Sequence, residues 1–199
     1  MNDWVRDLVD LAAAQAARDN DGMNTAFKRL RAAGRQREVE EALLQSYLFL
    51  GFPAAIEALR RWRNGGDRKP AAVTDEDPAL WLERGEETCA VVYGDHYEQL
   101  RRNIALFHPD LDRWMVMEGY GKVLGRPDLD LAVRELLIVA MLVVQGESGR
   151  RQLRSHLKGA LNAGASAEDV ETTIQRSAAF APRANLALAR KLWAMVQEG

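Results

Sequence analysis

Apolar residues recur at three- and four-residue spacing along almost the whole chain, the period of α-helices that each bury one stripe. Val5, Leu8, Val9, Leu11 and Ala12 mark the first such helix. The polar stretch Asn20-Asp21-Gly22-Met23 breaks the pattern before a second helix that carries Phe27 and Leu30. That helix ends at Gly34, a residue suited to the left-handed backbone after a helix. Val39, Leu43, Leu44, Tyr47 and Leu48 form a third stripe, closed by Gly51-Phe52-Pro53. Pro53 fits the first turn of a fourth helix reaching Trp62. Helical signals resume at about 80–92, 97–107 and 111–123, punctuated by Gly94, His108-Pro109 and Gly125-Arg126-Pro127. A long helix is then expected over about 130–145, another over about 150–163 stopping at Gly164, and two more to the end of the chain. Ser166-Ala167-Glu168-Asp169 has the make-up of a capping box. No segment alternates like a strand for long, so the pattern predicts an all-α fold.

The longest apolar run, residues 136–144, has nine members. A membrane-spanning helix needs about twenty, so this run reads as a buried helix. The stretch 65–79 holds Gly, Pro and many charges and reads as a linker. It divides the chain into an N-terminal helical unit, 1–64, and a C-terminal one, 80–199. The two resemble each other. Val5-Arg6-Asp7-Leu8 matches Val133-Arg134-Glu135-Leu136, Ala33-Gly34 matches Ala163-Gly164, and Gln45 and Pro53 match Gln175 and Pro182. With Glu38-Val39-Glu40 set beside Asp169-Val170-Glu171, the offsets drift between 128 and 131 residues. An internal repeat of stacked antiparallel helices is the reading, each unit covering the other's apolar face.

Composition narrows the picture. Apolar residues make up 47% of the 199, enough for a substantial core. The formal net charge is −2, so no global basic field favours nucleic acid. The one cysteine, Cys89, excludes an internal disulfide and any C-x-x-C metal or redox site, pointing to a reducing, cytoplasmic setting. Residues 5–17 are interrupted by Arg6, Asp7 and Asp10 and do not read as a signal peptide.

The stretch Tyr120-Gly121-Lys122-Val123-Leu124-Gly125-Arg126-Pro127-Asp128-Leu129-Asp130 runs into Arg134-Glu135-Leu136 and then Leu153-Arg154-Ser155-His156-Leu157 through Gly164. In that order it resembles the carboxymuconolactone decarboxylase family. Arg84-Gly85-Glu86-Glu87 and Val92-Tyr93-Gly94-Asp95-His96-Tyr97 are similar to the family's lead-in, and residues 38–59 resemble its closing helix pair. The resemblance covers about residues 80–199. It implies an alkylhydroperoxidase D-like helical bundle, oligomeric, with one of two chemistries. One is cofactor-independent decarboxylation of a lactone carboxylic acid. The other is a dithiol peroxidase reaction, whose C-x-x-C falls here on Gly149 and Gln152, neither a thiol.

His156 is the leading candidate for proton transfer, since a neutral imidazole accepts or returns a proton near neutral pH. Its bland alternative is a histidine satisfied at a helix interface. Glu135 lies near the start of the most apolar helix and needs a partner there. If the chain folds back around 146–149, Glu135 and His156 fall within about one turn of each other at 1.5 Å per residue. Glu135 could equally cap its helix or pair with Arg134. Arg126 and Arg134 are candidate clamps for a substrate carboxylate, and Tyr120 a candidate donor, although each also suits a structural role. Cys89 reads as a small core residue. In the N-terminal unit Ala26 stands where His156 does and Asp7 where Glu135 does, so at most one site per chain is expected. Three functions stay open: a decarboxylase-like lyase acting on a small organic acid without metal or cofactor, a helical oligomer that kept the fold without the chemistry, and, well behind, a peroxidase. A homo-oligomer is expected, a trimer or a dimer.

Overall fold

The computed structural model describes residues 1–66 and 76–198. Among them are twelve α-helices and no strand. The first five are α1 (Asp3–Ala17), α2 (Asn20–Ala32), α3 (Gln36–Gln45), α4 (Tyr47–Leu50) and α5 (Phe52–Asn64). Next come α6 (Pro78–Tyr93), α7 (Tyr97–Phe107) and α8 (Pro109–Trp114), followed by a π-helical segment, Met115–Leu124. The chain closes with α9 (Leu131–Gln145), α10 (Arg150–Asn162), α11 (Ala167–Ser177) and α12 (Arg183–Gln197). The all-α expectation is met.

Helix α9 is the axis of the bundle. The apolar run predicted to be buried is buried from Leu136 to Val143, which leaves no solvated face. Helix α1 packs along it, α10 and α11 flank it, and α2 covers α1. The core is continuous from Leu8 and Phe27 through Leu137 and Ile138 to Leu157 and Trp193. Asp130 starts α9 by accepting from the Ala132 N–H at 2.8 Å, a cap that leaves the apolar run to begin at once. Ser166 and Asp169 form the expected capping box of α11.

Three boundaries differ from the pattern reading. Asn20–Met23 is the first turn of α2 and not a break, because Asp19 caps it by accepting from the Asp21 and Gly22 N–H groups. The third stripe is split at Ser46, whose hydroxyl bonds to the Leu43 carbonyl. The helix expected over 111–123 is α8 followed by the π-helical segment. Most of the expected linker, residues 67–75, lies outside the described residues, and Pro78 already belongs to α6.

Helix α6 and the π-helical segment approach backbone to backbone. A Cβ at Gly85 would overlap the Val116 carbonyl, and one at Gly121 would overlap that of Trp81. Only glycine permits this spacing. The longer π turn is seen where the Gly125 N–H donates to the Tyr120 carbonyl at 2.6 Å. Arg84 covers the Gly121 carbonyl, donating from Nε at 2.6 Å while both Nη groups hold Glu76. No helix among the described residues is long and apolar enough to cross a membrane.

Candidate active site

The hairpin between α9 and α10 sets the site. Gly146, with φ of 64°, ends α9, and the tight turn Gly146–Gly149 sends α10 back antiparallel. This returns His156 to the level of Glu135. His156 Nδ1 and Glu135 Oε2 are 2.7 Å apart, with the histidine 4% and the glutamate 0% exposed. The other imidazole nitrogen, Nε2, has no hydrogen-bond partner among the described residues. Glu135 Oε1 is also buried without a partner. The glutamate is thus half satisfied, in surroundings where an unmet polar atom is costly.

The walls are aromatic. Phe49 meets the imidazole edge-on at 5.4 Å between ring centres, and Tyr93 does so at 6.4 Å. The Tyr120 hydroxyl donates to that of Tyr93 at 3.0 Å, linking the π-helical segment to the wall. Burial pushes both phenols up, and the nearby Glu135 carboxyl adds to it. Both therefore stay protonated at neutral pH and can donate. Gly159, one turn beyond His156, leaves the space the carboxyl occupies, since a Cβ there would sit 2.8 Å from Glu135 Oε2 and 2.7 Å from a Val92 methyl.

Arg126 and Arg134 lie elsewhere. Arg134 has no exposure, and its donors go to Glu41 Oε2, Gln45 Oε1 and the carbonyls of Leu129 and Arg126. Arg126 meets Glu41 from the other side, donating from Nη2 at 2.8 Å. Burial alone would raise the Glu41 carboxyl, but the hydrogen bonds from Arg126 and Arg134 outweigh it and hold it below the usual carboxylate range. The clamp role expected from the sequence is filled by a carboxylate of the protein itself. A buried guanidinium needs a counter-charge, and α3 supplies one.

Cys89 is fully buried, and burial pushes its thiol up to about 12. Gly149 ends the tight turn and Gln152 faces solvent, so the positions where related proteins keep their dithiol carry none. Of the expected site residues, Glu135, His156 and Tyr120 share one neighbourhood, while Arg126 and Arg134 belong to another. The pattern did not mark Phe49, Tyr93 or Gly159. Tyr93 and Gly159 stand inside the recognised motifs, and their glycine and tyrosine identities were the available signal. Phe49 comes from the N-terminal unit, and nothing local announced it.

An all-α bundle whose central hairpin buries a carboxylate–imidazole pair defines the class of this molecule. Residues 109–192 match the carboxymuconolactone decarboxylase family, and this part of the chain belongs to that family. The match takes in Tyr120, Arg126, Arg134, Glu135 and His156. Over 140 residues the chain is also 33% identical to Peroxisomal protein 2 of Schizosaccharomyces pombe (strain 972 / ATCC 24843), an alignment covering 67% of this chain and 63% of that protein. The chain thus spans less than two thirds of that relative's length.

Proposed function

We propose that this protein is an acid–base catalyst of the carboxymuconolactone decarboxylase type, a lyase acting on a small organic acid. The observation that carries the reading is the 2.7 Å contact between His156 Nδ1 and Glu135 Oε2, with Nε2 left unpaired. Glu135 fixes the tautomer and orientation of the ring, and Nε2 is the proton-carrying atom. Loss of carbon dioxide breaks a carbon–carbon bond and leaves its electron pair on the substrate carbon. A proton carried on Nε2 of the imidazolium quenches that carbon, leaving a neutral ring whose Nδ1–H stays on Glu135 and which water reprotonates, and Tyr93, backed by Tyr120, is the donor available to an oxyanion. No step calls for a metal or an organic cofactor. Arg126 and Arg134 hold Glu41 and take no part in these steps.

The test is His156→Ala, measured for turnover of 4-carboxymuconolactone and related lactone acids and for melting temperature together. Loss of a general acid costs about 10²–10⁴-fold in rate. A melting drop without wild-type activity on any of these compounds would overturn the assignment. It would favour the second reading, a non-catalytic bundle, which the near-complete burial of both partners supports. A dithiol peroxidase is a poor fit, since the single thiol is buried.

The working unit in this reading is a homo-oligomer, a trimer or a dimer, in the cytoplasm. What supports assembly is the exposed apolar side of α7 and α8, where Leu106 and Phe107 are 84% and 74% exposed and Leu111 and Trp114 stand nearby in sequence. Trp193 is buried, and Trp4 is partly covered by the Arg35 guanidinium. We also read the two units as copies of one ancestor. Helices α1 and α9 are both 15 residues and α2 and α10 both 13, with Gly34 and Gly164 alike at positive φ.

A further inference from the structure

A second feature of α10 is not used by the Glu135–His156 pair. Arg151, Arg154 and Lys158 stand at spacings of three and four on its solvent side and line a cleft of about 570 Å³ against α6, α7 and α12. His96 joins them from the turn after α6, its Nε2 3.4 Å from Lys158 Nζ. No aspartate or glutamate is among the residues lining the cleft. Val92, Leu100, Met195 and Val196 add apolar lining to the same cleft.

The charge arrangement has no account within the fold. Like charges at these spacings on a helix repel. Two arginines close by meet carboxylates: Arg150, one residue before this set, pairs with Glu147 at 3.1 Å, and Arg101 holds Asp112 through two bonds. The guanidiniums of Arg151 and Arg154 have no ion-pair or hydrogen-bond partner among the described residues. Two open guanidiniums and an ammonium around one concavity make a receptor for more than one negative charge. A free inorganic ion would leave the apolar part unfilled.

We propose that this cleft binds an amphipathic ligand with a headgroup of two or more negative charges, phosphoryl or dicarboxylate, and an apolar body. The headgroup lies on Arg151, Arg154 and Lys158, and the body on Val92, Leu100 and Met195. Tyr93 is the shared wall, since it lines the cleft on one side and meets the His156 ring on the other. The inference stands apart from the catalytic reading, because binding here needs no proton transfer.

Calorimetry with hexyl phosphate and with 2-hexylsuccinate tests it, with inorganic phosphate, succinate and hexanol as the separated halves. At least one joined probe binds about tenfold or more tighter than its own halves, and the tighter of the two names the headgroup. In the Arg151→Ala/Arg154→Ala variant, confirmed folded by its melting temperature, that affinity falls by about tenfold or more, the scale of lost charge-assisted contacts. In His156→Ala it is retained, which separates this site from the proposed catalytic one. No binding of either joined probe at millimolar concentration, or undiminished binding in the double arginine variant, overturns the proposal.

Discussion

Arg134 and Glu135 are neighbours on α9, both without solvent exposure, and their surroundings treat them in opposite ways. Around Arg134 the accounts are closed: Glu41 and Gln45 from the N-terminal unit and two carbonyls take its donors, and Arg126 holds the same carboxylate. Around Glu135 one oxygen meets His156 and the other has no partner among the described residues. A saturated buried charge fixes the packing of two helices and has no capacity left over. A half-satisfied pair keeps a free nitrogen and a free oxygen, which chemistry requires and stability alone does not. The comparison also gives the N-terminal unit two tasks, since it supplies Glu41 to the lock and Phe49 to the wall of the site.

The comparison can be broken at the lock. Glu41→Ala removes the carboxylate shared by two guanidiniums, one of them fully buried, and is expected to cost about 3–5 kcal/mol. For a chain of this size that is a melting drop on the order of 10 °C. A drop of only a degree or two would show that Arg134 finds other partners. His156→Ala leaves Glu135 alone and is expected to cost less, about 1–3 kcal/mol, while its effect on rate is the larger one. Equal thermal losses in the two variants would erase the distinction between lock and site.

Acid sharpens the same contrast. The Glu41 carboxyl titrates below its ordinary range when folded and near the usual value of about 4.3 when unfolded. The lock therefore contributes fully above about pH 4.3 and is lost as the pH falls through the depressed folded value. Unfolding by denaturant, followed from pH 6 downward, should show stability falling in that window for the wild type, with a shallower fall in Glu41→Gln. The smallest effect expected is at Cys89. With its thiol pushed up to about 12 and no exposure, a disulfide reagent at pH 8 should label it only as fast as the chain opens. Rapid labelling of the folded protein would show the region around the site to be open.

The sequence was legible where one residue's neighbours lie within the same motif. The buried α9, the capping box at Ser166, the αL glycines at 34 and 164 and the turn that brings His156 to Glu135 are all local consequences of spacing. The fate of Arg126 and Arg134 was not local. Their partner, Glu41, lies 85 and 93 residues away, and a guanidinium suits a substrate carboxylate and a protein carboxylate equally well. Phe49 was hidden for the same reason. The boundary at Asn20 was misread because Asn, Asp and Gly mark both a break and a capped start, and only the Asp19 side chain decides between them. Arg154 and Lys158 were visible as neighbours of His156, but their cleft exists only once α12 and α7 close over α10.

The π-helical segment carries a consequence of a different kind. A π turn is an α-helix holding one residue too many. A side chain at Gly119 would meet open space, so no neighbour presses on this position. Losing one residue there lets the ladder revert to its shorter period while the two ends keep their facing, so Tyr120 stays with Tyr93 and Gly121 with the carbonyl it lies against. The same loss from a regular helix such as α9 turns everything beyond it by about 100°. A single-codon deletion, which substitution scans never sample, thus separates a segment with a residue to spare from one without.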